Sequence, residues 1–169
     1  INLSYVLAEN KKFDEAMNFA NKSIVHENSL NNVSGWGYYA KGWIYEMQNM
    51  PEKAKETYIK AAKAMPSAYE PLRRIAAISN SQGDFEFALS QYNKMVNMTK
   101  SKDPKVAEEP LVLRAILNYN LGNRLDALQD LYYVEYVLNS KNNFTSSGYK
   151  SVPLIKGMIF KDLGSYDLA

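Results

Sequence analysis

The chain has 169 residues, 46% of them hydrophobic and 22% charged, and its 20 basic and 18 acidic side chains leave a net charge of +2. That is enough chain to bury a core, and too balanced a charge for binding nucleic acid or an anionic membrane through the overall field. Cysteine is absent, which excludes disulfides and thiolate metal sites.

No apolar run approaches the roughly 18 residues of a membrane span. The opening INLSYVLAENKK lacks the basic start and long apolar core of a signal peptide. The chain does not begin with Met, so it is expected to be a piece of a longer protein. No compartment follows from this stretch, and with no signal or span in it the reading leans to the cytoplasm. The N-x-[ST] patterns at Asn2, Asn21, Asn32, Asn97 and Asn143 follow from a high Asn content, and would matter only in a eukaryotic secretory context.

In chain order, apolar periodicity and turn signals predict helices at 1–9 and 13–27, 35–48 and 51–64, 69–81 and 84–98, 107–120 and 123–139, then 150–162. A last helix is expected to begin near Ser165. Pro51 suits the first turn of its helix. Gly83-Asp84-Phe85-Glu86 reads as a turn followed by an N-capped start.

The third helix opens with GWGYYAKGWIY, and Gly35-x-Gly37-x-x-Ala40 fits the dinucleotide fingerprint. That motif needs a strand before it. What precedes it is HENSLNNVS, a polar loop, so the stretch reads as an aromatic-rich helix with a small residue at Gly42.

Five stretches repeat in phase: KKFDEA, NMPEKA, QGDFEFA, LGNRLDA and LGSYDLA, ending at Ala16, Ala54, Ala88, Ala127 and Ala169. Twelve residues before each Ala stands a small residue: Ser4, Gly42, Ala76, Ala115 and Gly157. Nine before it stand Leu7, Tyr45, Ser79 and Phe160, with Asn118 as the exception. Four after it come Ala20, Tyr58, Tyr92 and Leu131. The expected unit is two antiparallel helices, A and B, whose small residues meet at the tightest crossing while larger apolar groups fill the flanks.

This pattern resembles the tetratricopeptide repeat. Repeat two (35–68) fills the 34-residue pattern with Tyr38, Gly42, Tyr45, Ala54, Tyr58, Ala61 and Pro66, and repeat three (69–102) follows with Leu72, Ala76, Gly83, Phe85, Ala88 and Tyr92. The other repeats run at about 1–30, 108–141 and 150–169, the first and last incomplete, all within one domain spanning 1–169. Extra residues fall near 29–34, 103–107 and 142–149, and Arg124 stands where an aromatic is usual. The wider steps resemble the Sel1-type repeat, but the 34-residue central step favours the tetratricopeptide pattern. The resemblance implies an all-α, right-handed solenoid of stacked antiparallel helix pairs. The incomplete fifth repeat is expected to leave Leu154, Met158, Phe160 and Leu163 open for further repeats or a neighbour.

The resemblance also places helix A on the concave side. The residues expected to face a protein or peptide partner there are Tyr5, Trp36, Tyr39, Trp43, Met47, Arg73, Arg74, Leu113, Ile116 and Tyr119, in a field that includes Glu46, Glu70, Glu109 and Asp162. Aromatics beside an Arg pair suit apolar partner side chains, with an acidic group near Arg73 and Arg74. Packing against neighbouring repeats is the alternative for the same residues. Some family members hold a chaperone tail through a carboxylate clamp; its places carry Ile1, Tyr5, Ala40, Glu70 and Arg74, one match in five, which argues against that clamp.

Chemistry has little to stand on. His26, the lone His, belongs near a helix C-terminus. The acid pairs Asp14-Glu15, Glu108-Glu109 and Asp126/Asp130 mostly fall at helix starts. No nucleophile elbow, P-loop or calcium loop is present, so the reading is non-enzymatic, with no cofactor and no metal. Arg73-Arg74 with Lys100, Lys102 and Lys105 raises RNA, but apolar helix A faces are unlike those of repeat proteins that read bases. The expected function is an interaction scaffold or adaptor. The alternatives are a structural segment of a larger assembly and a regulatory arm of an enzyme.

Overall fold

A computed structural model describes residues 2–29, 34–100, 108–139 and 147–164. Among these the chain is all α, with helices α1 (Asn2–Glu9), α2 (Phe13–Ser29), α3 (Trp36–Met47), α4 (Pro51–Ala64), α5 (Glu70–Ser81), α6 (Phe85–Lys100), α7 (Glu108–Asn120), α8 (Arg124–Asn139) and α9 (Ser147–Asp162). Among the described residues each expected helix is present, α4 with the expected bounds and the others with ends shifted by at most three residues. The expected helix from Ser165 to Ala169, and Ile1, Lys102 and Lys105, lie outside the described residues, as do most of the three expected loops. Where a loop was expected up to 149, α9 already begins at Ser147, so Pro153 lies inside the helix rather than in its first turn.

Two compact units divide the chain, Ile1–Asp84 and Phe85–Ala169. In the first, α3 packs against α2 and α4, α1 against α2, and α4 against α5. Its core has two clusters. Ala8, Ala16, Ala20, Ala40 and Ile44 form one. Tyr39, Ala54, Tyr58, Ala61, Met65, Ile75 and Ile78 form the other. In the second unit α7 packs against α6, α8 and α9, around Leu111, Ala115, Ala127, Leu131, Val152, Ile159 and Phe160.

The repeat logic is visible atom by atom. Ala16, Ala54, Ala88 and Ala127 are fully buried, as are Ala76 and Ala115, and Ser4 is nearly so. At Gly42 an added Cβ would lie 2.7 Å from the Tyr58 ring, so only glycine admits that ring. At Gly157 a Cβ would meet nothing within 4 Å among the described residues; the helix expected to face it lies outside them. Phe160 was expected to be open; it is buried in the second core, while Leu154, Met158 and Leu163 are exposed.

Each A-to-B turn uses one left-handed residue five before the repeat Ala. Gly83, Gly122 and Gly164 sit there at φ of 79°, 82° and 70°, and Lys11 and Asn49 at 59° and 58°. That conformation lets the residue after it bond back to the carbonyl five positions earlier, ending the helix. The bonds run from Lys12 to Leu7, Met50 to Tyr45 and Asp84 to Ser79 at 2.9 Å, and from Asn123 to Asn118 at 2.8 Å.

Candidate interaction surface

The start of α3 closes the dinucleotide question. Glu27, from the end of α2, accepts the Gly35 N–H at 3.2 Å and the Gly37 N–H at 3.3 Å, and the Ser23 hydroxyl donates to it at 3.1 Å. The helix N-terminus that would hold a pyrophosphate holds a carboxylate of this chain instead. The two glycines have local reasons. Gly35 is left-handed at φ 75°, and at Gly37 a Cβ would lie 2.7 Å from the Ile24 side chain.

Seven of the ten candidate residues lie in the first unit. Trp43 and Arg74 form its centre: the guanidinium carbon sits 4.4 Å from the Trp43 ring centroid, within cation–π range. Tyr5 meets the same indole edge-on at 6.1 Å. Arg74 Nη1 lies 3.7 Å from Glu46, and its Nε donates to the Tyr39 hydroxyl at 3.5 Å. The Tyr58 hydroxyl donates to the other Glu46 oxygen. Trp36 packs edge-on against Tyr39 at 5.5 Å, and Tyr39 against Tyr58 at 5.3 Å.

Electrostatics follow the geometry. Burial pushes the Tyr5 hydroxyl up to about 12, with Tyr39 adding to it and Arg74 opposing. Burial, then the bond to Glu46, drives Tyr58 far upward, so it stays a neutral donor. Burial works against the Arg74 charge, but Tyr39, Glu46 and Tyr58 outweigh it and the net shift is upward.

Exposure sorts the candidates. Trp36 is 37% exposed and Met47 42%. Tyr5, Trp43, Arg73 and Arg74 are half-buried. Tyr39 is buried and offers a partner little surface. The Trp43 indole nitrogen is buried and has no hydrogen-bond partner. An acidic partner group near Arg74 would meet a guanidinium already matched by Glu46. The sequence pattern placed Glu46 on this face but carried no sign of its role, since the bond partner, Tyr58, reads there as a core residue.

The remaining three lie in the second unit. Ile116 is exposed, Leu113 half-buried, and Tyr119 is fixed by donating to Asp162 at 2.9 Å. Arg124, in place of the usual aromatic, lies 3.3 Å from the same carboxylate. The bond to Asp162 raises the Tyr119 pKa.

His26 is exposed in the last turn of α2. Asp14, Glu15, Glu108, Glu109 and Asp126 are in first helical turns as expected. Asp130 is not: it is buried and clasped by Arg114, with bonds of 2.8 and 2.6 Å, which hold the Arg114 pKa upward. Among the described residues no group of three or more His, Asp or Glu is placed to hold a metal, and no helix is long and apolar enough to cross a membrane.

No protein-family model matches the chain. A TPR repeat-containing protein of Methanocaldococcus jannaschii is 29% identical over 91 residues, which is 54% of this chain and 15% of that protein. The chain therefore spans a small part of that relative's length. Among solved structures, BtubC (BKLC) from P. vanneervenii superimposes with a TM-score of 0.83 at 15% identity, over 99% of this chain and 72% of that one. YrrB, a TPR protein with an unusual peptide-binding site, gives 0.66 at 17% identity, over 98% and 76%. The first TPR of Spaghetti (RPAP3), bound to an HSP90 peptide, gives 0.60 at 19% identity, over 78% and 94%.

Proposed function

We propose that this chain, built from helix pairs of the tetratricopeptide type, is a non-enzymatic scaffold that binds an apolar protein segment on the helix A face of its first unit. The observation that carries the reading is the exposure of Trp36 and Met47 beside the Trp43–Arg74 stack. Large apolar side chains rimmed by polar ones are what interaction surfaces present. Because Glu46 already compensates Arg74, the partner's contribution is apolar rather than acidic. The structural likeness to TPR proteins that hold peptides agrees with this class of function.

The test compares wild-type chain with a Trp36→Ala, Met47→Ala variant in a cell-lysate pull-down. Both side chains are exposed, so helicity by circular dichroism is expected to be unchanged. A protein captured by the wild type and lost by the variant supports the reading. The same proteins captured by both would move the function to another surface or to a structural role.

A further inference from the structure

The second compact unit contains a recess of about 250 Å³ between α6, α7 and α8. Asn93, Arg114, Asn118, Asp126, Gln129 and Asp130 line it. Asn118 is 5% exposed, and no side-chain hydrogen bond from the described residues reaches its amide. Its amide atoms are not among the fully buried unpaired ones, so they meet the open space of the recess rather than a protein partner.

The repeat pattern sets Asn118 apart. Asn118 is the exception among the residues nine before each repeat Ala; its counterpart in repeat two is Tyr45. Tyr45 is half-buried there, and Lys53 lies over its ring at 5.9 Å from the centroid. The counterpart of Lys53 is Asp126. Repeat four thus lacks both the ring and the cation that repeat two supplies from its own chain.

Charge decides what fits. Arg114 is internally matched: Nε and Nη2 go to Asp130 at 2.8 and 2.6 Å, and Nη1 to Asn93 at 2.8 Å. Asp126 makes no ion pair within 4 Å with the described residues, though its charge also acts on Arg114 at longer range. With Arg114 and Asp130 cancelling, the lining keeps one formal negative charge, that of Asp126.

We propose that this recess is a binding site for an organic cation, an ammonium or guanidinium group on a short stem, with Asp126 as counter-ion and the Asn118 amide oxygen as acceptor. The group comes either from a free amine or from a Lys or Arg side chain of a partner.

The test is a titration of the full chain, ¹⁵N-labelled, with butylammonium, methylguanidinium and a capped Arg-containing tripeptide, with acetate as the anionic control. The cations are expected to shift the Asn118 and Gln129 side-chain amide signals saturably, and acetate to leave them in place. Tighter binding of the tripeptide assigns the site to a side chain; equal or weaker binding assigns it to a free amine. Asp126→Asn is expected to weaken binding about tenfold, the worth of roughly one charge-assisted hydrogen bond. Asn118→Tyr, which restores the ring of repeat two, is expected to abolish binding while helicity and melting temperature hold or rise. Saturable shifts with acetate, no saturable shift with any cation, or equal binding by both variants would overturn the proposal.

Discussion

Lys11 and Asn49 occupy left-handed backbone at turns where Gly83, Gly122 and Gly164 stand in the other repeats. A side chain costs about 1–2 kcal/mol there, and Asn tolerates it better than Lys. Lys11→Gly is therefore expected to raise the unfolding free energy by about 1 kcal/mol, and Gly83→Ala to lower it by about as much. Urea denaturation of the two variants checks both signs; a Lys11→Gly chain no more stable than wild type would mean that the turn relaxes without cost. Tyr5 offers a second reading at this scale. An unfolded tyrosine loses its proton at about 10, and Tyr5 in the folded chain at about 12. Between those values the unfolded state binds fewer protons, so the Tyr5 contribution is intact below pH 10 and is lost as pH rises toward 12. Tyr5→Phe should remove that part of the alkaline loss of stability, measured as melting temperature against pH; an unchanged profile would show that Tyr5 ionises like an exposed tyrosine.

Among the elements, α3 carries more of the candidate surface than any other, and its start is fixed by Glu27 rather than by a cap from its own sequence. Gly35, at its N-cap, makes no side-chain cap bond. Glu27→Ala is expected to cost about 1–2 kcal/mol, the range of a lost helix cap. It should also raise hydrogen exchange at the first turn of α3 before α4 is affected. Unchanged exchange there would mean that packing of Ile24 against Gly37 alone sets the start. This contact spans eight to ten residues across a polar loop, so helix-cap signals in the sequence, which act within about three residues, could not reveal it. The helices themselves were legible because the small residue and the repeat Ala recur at constant spacing. The start of α9 lies three residues earlier than expected, at 147 rather than 150; packing of Val152, Ile155 and Ile159 into the second core holds the helix through Pro153.

For the whole molecule, the division into two compact units makes a prediction about how damage spreads. Leu131 is fully buried in the second core, and Leu131→Ala is expected to cost about 2–5 kcal/mol. Hydrogen exchange should rise across α6 to α9 while α1 to α5 keep their protection, as local units with their own cores open separately. A uniform rise would show that the chain opens as one body. The sequence by itself determined the helix pairs, their turns and their buried small residues, since each depends on spacings within about forty residues. It also placed the aromatic face of α3, because helical periodicity alone assigns residues to faces. Only the tertiary structure decided which of those facing residues are spent internally. Arg74 is matched by Glu46, Tyr39 is buried against Tyr58, and Asn118 borders a recess beside the Arg114–Asp130 pair. Those outcomes depend on side chains that meet across helices, where the distance between atoms, and not the spacing of letters, sets the energy.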